Sequence, residues 1–117
     1  MPATQRKNNF RDIRDIFSYI LLFAPNFPNR NATLDGEFEQ LDVALGELAG
    51  RIGNPEVLTL LQQCREVSRE TLQLYKEGKQ REGILRIQDA QELFVKAGRL
   101  RKSKAAAERV EDDYQDD

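Results

Sequence analysis

The sequence predicts an all-α protein, a four-helix antiparallel up-and-down bundle with a charged, flexible C-terminal tail. Three observations carry this. Leu, Glu, Gln, Arg and Ala are abundant while β-branched residues are few, which favours helix over sheet. Four segments show apolar residues recurring every three to four positions. The breaks between them are short and hold Pro, Gly or Asn, and short connections make successive helices neighbours in a bundle. A chain of 117 residues is long enough to bury one core without a metal or disulfide staple.

The first helix is expected to start at Phe10, capped by Asn9, with Asp12 at the positive end of the helix dipole. Apolar residues at 10, 13, 17, 20 and 24 form one face. Ile16, Leu21, Leu22 and Phe23 widen that face until it wraps most of the helix, making 16–28 (IFSYILLFAPNFP) the most hydrophobic stretch of a chain that is 32% charged. Pro25 ends the helix near Ala24, because the residue before a proline is displaced from the α region, and residues 25–31 read as an extended loop.

In the second segment Leu34, Phe38, Leu41, Leu45, Leu48 and Ile52 form a heptad stripe with Thr33 as the cap, and Gly50 and Gly53 mark its end. Its outer side is acidic, with Asp35, Glu37, Glu39, Asp42 and Glu47. Asn54-Pro55-Glu56 starts a third helix with a capping side chain, a proline whose missing N–H costs nothing there, and an acid in the first turn. That helix should run to about Glu77, burying Val57, Leu60, Leu61, Cys64, Val67, Thr71, Leu74 and Tyr75, with Gly78 as its C-terminal cap. The fourth starts at about Gln80, with Ile84, Ile87, Ala90, Phe94 and Ala97 inward; Gly98 can end it, while the good helix formers in RLRKSKAAAERVEDDYQ, which follows, allow it to extend.

These elements divide the chain into a flexible N-terminus (1–8), a bundle domain (9–98) and a basic-then-acidic tail (99–117) expected to be mobile. Residues 96–110 hold six Lys or Arg and one Glu, whereas 111–117 hold five acids and no base. Such charge blocks with few apolar groups do not build a core. The stretch LYKEGKQREGILRIQDAQELF, residues 74 to 94, resembles the helix-turn-helix of a tetratricopeptide repeat at Gly78, Gly83, Ile87 and Ala90. It departs from that pattern in lacking the small residue of the repeat's first helix, and no second copy stands at the period of about 34 residues. It reads as an ordinary helical hairpin.

Composition narrows the chemistry. With no histidine, Ser-His and Cys-His nucleophile pairs, most zinc sites and the Glu-x-x-His motif of di-iron bundles are absent from the sequence. Neither a calcium loop nor a Gly-rich phosphate loop occurs. Carboxylates are the only general acid or base candidates, and pairs such as Asp35/Glu39 and Glu66/Glu70, four apart on helices, read as solvated surface. The expectation is therefore a protein without catalytic residues, cofactor, metal or implied small-molecule substrate. A lone cysteine, Cys64, in apolar spacing reads as a small buried hydrophobe and points to a reducing, cytoplasmic setting. The apolar run is far shorter than the roughly 20 residues of a membrane span and has no signal-peptide cleavage pattern. The sequon at Asn31 is then a chance match.

The leading functional expectation is a non-enzymatic protein–protein interaction module, a homodimer or small accessory subunit, whose interface is Phe17, Tyr19, Phe23 and Phe27. A helix apolar on all sides needs two covering surfaces, and a missing one is a partner. The alternative is a small acidic neutraliser of the immunity-protein or antitoxin type, covering a basic site with Asp35, Glu39 and Asp42. A weaker reading gives Lys96, Arg99, Arg101, Lys102 and Lys104 contact with phosphate or an acidic partner. Nucleic acid is disfavoured because no aromatic lies among these residues to stack a base and the acidic tail competes for them.

Overall fold

The computed structural model describes residues 9–108, with side chains described through Ser103. It contains four helices and, among the described residues, no strand: α1 (Phe10–Phe23), α2 (Leu34–Ala49), α3 (Pro55–Lys76) and α4 (Gln80–Glu108). α1 packs on α2 and α4, and α3 packs on the same two, so the helices close around one core as in a bundle.

The starts of α1, α2 and α3 are each built from their own sequence. At α1 the Asn9 Oδ1 accepts from the Asp12 N–H at 2.8 Å, while the Asp12 Oδ2 accepts from the Asn9 N–H at 3.3 Å, a reciprocal capping box. The Thr33 Oγ1 accepts from the Gly36 N–H at α2, and the Asn54 Oδ1 accepts from Glu56 and Val57 at α3, with Pro55 in the first turn. α1 ends at Phe23, with Ala24 as its cap and a cis Ala24–Pro25 peptide beyond. α3 ends in a Schellman motif: Lys79 N–H donates to the Leu74 carbonyl and Gly78 N–H to that of Tyr75. Gly78 has φ +81°, a conformation that glycine adopts without a Cβ penalty.

The core is one cluster. Phe10, Ile13, Phe17 and Ile20 come from α1, and Phe38, Leu41, Ala44, Leu45 and Leu48 from α2. Val57, Leu61, Cys64, Val67 and Tyr75 come from α3, and Ile87, Ala90, Phe94 and Ala97 from α4. Within the cluster the Phe94 ring meets Phe10 at 5.2 Å and Phe17 at 5.5 Å between centroids. Tilted rings at this spacing gain electrostatically beyond the area they bury.

α4 runs past Gly98 to Glu108, the longer of the two ends that its sequence allows, and takes in ten residues grouped with the tail. Gly98 costs the helix about 1 kcal/mol relative to alanine, yet the following segment is rich in helix formers and Gly98 packs directly under the Phe10 ring, where a Cβ would lie 3.5 Å away. Ile84 is exposed, not inward; Gly83 takes the buried position because the Tyr75 ring lies across it, 3.1 Å from where a Cβ would stand. The expected flexibility of 1–8 and mobility of 109–117 fall outside the described residues.

Candidate functional site

The aromatic residues expected at an interface divide. Phe17 is fully buried against Phe94 and belongs to the core. Its place follows from the 10, 13, 17, 20 spacing, which sets it on the inward face of α1. Tyr19, Phe23 and Phe27 come together instead. Tyr19 stacks on Phe27 with centroids 5.3 Å apart and planes 20° apart, and meets the edge of Phe23 at 5.3 Å. The turn after Pro25 returns Phe27 to the helix it left. All three rings are half-buried, and Leu22 beside them is 73% exposed.

The acidic face of α2 is largely engaged within the molecule. Asp42 accepts two parallel hydrogen bonds from Arg65, Nε to Oδ1 and Nη2 to Oδ2, each 3.0 Å, and Arg69 Nη2 lies 3.2 Å from Oδ1. The Arg65 hydrogen bond, aided by Arg69, holds the Asp42 carboxyl below the usual carboxylate range, and Asp42 in turn raises Arg65. Asp35 pairs with Lys76 at 2.8 Å, while Glu39 stands exposed between these pairs. These residues flank an open groove of about 270 Å³ between α2 and α3, with Phe38 and Leu72 in its wall.

The basic residues of α4 lie on helix. Lys96, Arg99 and Lys102 are exposed, and the Arg101 guanidinium sits 4.6 Å over the Phe10 ring, a cation–π contact. Lys104 lies on α4 with its side chain outside the described set. The structure adds a residue that the basic segment alone did not include: Arg14 of α1 joins Arg99, Arg101 and Lys102 around a cavity of about 200 Å³. The signal was the pair Arg11 and Arg14 at the start of α1, each followed by an aspartate, and the meeting of Arg14 with α4 is revealed only by the packing.

Cys64 is fully buried, and its thiol donates to the Ala90 carbonyl at 3.3 Å. Burial pushes the thiol up to about 12, against a smaller opposing pull from Ser68, so at neutral pH it stays a thiol rather than a nucleophilic thiolate. Glu66 is exposed, and Glu70 receives the Arg86 Nε at 2.8 Å rather than pairing with Glu66. Among the described residues no three acidic or sulfur ligands gather where they could hold a metal ion. No described helix is long and apolar enough to cross a membrane. No family model, curated protein or solved structure matches the chain.

Proposed function

We propose that this chain is a non-enzymatic protein–protein interaction module that works through the aromatic end of α1, as a homodimer or as a small accessory subunit in the cytoplasm. One observation carries the reading: Leu22, 73% exposed, adjoins the half-buried rings of Tyr19, Phe23 and Phe27. Four large apolar side chains then sit together where α1 meets its loop, and water is a poor partner for such a cluster. Phe17 drops out of the proposed interface and Leu22 enters it. The reading takes the helices as an antiparallel up-and-down bundle. The pairing of Tyr75 with Gly83 and of Cys64 with Ala90 supports this for α3 and α4. In that arrangement the start of α4, with Leu85 58% exposed, lies at the aromatic end as well.

The neutraliser alternative is weaker, because two of its three acids, Asp35 and Asp42, are already paired with cations of α3. An NMR dilution series tests the leading reading. Concentration-dependent amide shifts confined to residues 19–27 and the start of α4 are expected for a homodimer. If the protein is instead an accessory subunit, those amides shift only when its partner is added. Shifts centred on Asp35, Glu39 and Asp42 on adding a basic partner would favour the neutraliser.

A further inference from the structure

Away from the aromatic end, Arg14, Arg99, Arg101 and Lys102 line one cavity of about 200 Å³, floored by Phe10 and Phe94. We propose that this cavity is a binding site for the phosphate group of a small phosphate ester or diphosphate. The inference does not rest on the interaction reading above, and it uses none of its residues.

Four cationic side chains from two helices surround the cavity, and none of its lining residues is an acid. Asp12 and Asp15 are the acidic neighbours of Arg14 along α1, and Asp12 is turned into the capping box with Asn9. Neither Arg14 nor Arg99 forms an ion pair with a described residue. Arg14 and Arg99 carry planar guanidinium forks, which bind phosphate oxygens in pairs. Arg101 is held in position by its contact with the Phe10 ring, which reduces the ordering required on binding. The start of α1 lies beside the cavity through Phe10, and the positive end of its dipole adds to the field.

The surroundings favour a small phosphate over larger polyanions. Phe10 and Phe94 are 5% and 1% exposed, so neither ring offers a platform on which a nucleic-acid base could stack. The large exposed hydrophobics, Leu22, Val43, Ile84 and Leu85, all lie outside the cavity lining, so nothing here would enter a lipid surface beside the cations.

Calorimetric titration of the full chain with pyrophosphate tests the proposal. Saturable binding at one site per chain is expected, weakening as salt is raised. The pair Arg14→Glu and Arg99→Glu should weaken it about tenfold or more, the scale of losing a charge-assisted pair of hydrogen bonds. Arg81→Glu, an equal kind of charge change on the exposed start of α4, should leave it unchanged. The neutral pair Arg14→Gln and Arg99→Gln should act in the same direction, and circular dichroism confirms that each variant is folded. Three results overturn the proposal: no pyrophosphate binding at low salt, equal weakening by Arg81→Glu, or binding of a single-stranded oligonucleotide or polyglutamate where pyrophosphate does not bind.

Discussion

The Arg65 guanidinium lies flat against α2 at Gly46, where a Cβ would stand 3.0 Å from its Nη1, and from there it grips Asp42 through two 3.0 Å hydrogen bonds. The absence of a side chain at Gly46 and the ion pair one turn earlier are thus parts of one arrangement. Gly46→Ala should gain some helix propensity, about 1 kcal/mol in an open helix, and lose part of that gain by displacing Arg65. A double-mutant cycle separates the two effects. Asp42→Asn should cost about 1 kcal/mol by denaturant unfolding, as expected of a half-buried bidentate pair, and cost measurably less in the Gly46→Ala background.

The same pair sets a pH dependence. Asp42 is lowered in the folded protein, so its contribution is complete above the ordinary aspartate value of about 3.9 and is lost as pH falls through the folded value. Unfolding free energy measured from neutral pH down to the acid range should fall less steeply below that value in Asp42→Asn than in the wild type. Parallel curves would contradict this assignment.

Gly78 holds the α3–α4 turn with φ +81°. Gly78→Ala should destabilise the protein by about 1–2 kcal/mol, the cost of placing a Cβ in the left-handed region. The surrounding space is open, so no steric term adds to it. A neutral result in chemical denaturation would mean that the turn relaxes to another conformation.

Phe94 joins α4 to α1 through Phe10 and Phe17. Phe94→Ala should cost about 3–5 kcal/mol, since it opens a cavity at a position where the ring is 1% exposed. Ile84→Ala, at 37% exposure, should stay within about 0.5 kcal/mol. Equal losses at the two positions would return Ile84 to the core, where its spacing in sequence had placed it.

Much of the fold is legible in the sequence because it is local. Asn9 with Asp12, Thr33, Asn54-Pro55 and Gly78 each act within a few residues, and they set the observed starts of α1, α2 and α3 and the end of α3. The heptad stripe of α2 is likewise buried from Phe38 to Leu48. The misreadings arise where a distant residue decides. Tyr75 lies over Gly83 and turns Ile84 outward; Phe10 covers Gly98, where the sequence alone allows either a stop or a continuation. Phe17 is the exception, since its spacing already marked it as core while its aromatic character suggested an interface. The pairing of Asp42 with Arg65 and the meeting of Arg14 with Arg99 join residues far apart in the chain, and no local pattern announces them.

Cys64 supplies a chemical check. With its thiol buried and pushed up to about 12, it should not react with a thiol reagent in the native state at mildly alkaline pH, and should react fully once the chain is unfolded. Rapid native labelling would mean that the packing of α3 on α4 opens readily near Ala90.

The central proposal is that the cluster of Tyr19, Leu22, Phe23 and Phe27 is a protein-binding surface, and light scattering over a concentration series, with an apolar dye present in a parallel sample, tests it most directly. The account predicts a mass approaching twice the 13.5 kDa of one chain, or, for an accessory subunit, a monomer that binds the dye. Leu22→Lys should abolish either behaviour without unfolding the protein. A wild-type chain that remains monomeric at every concentration and binds no dye would contradict the account.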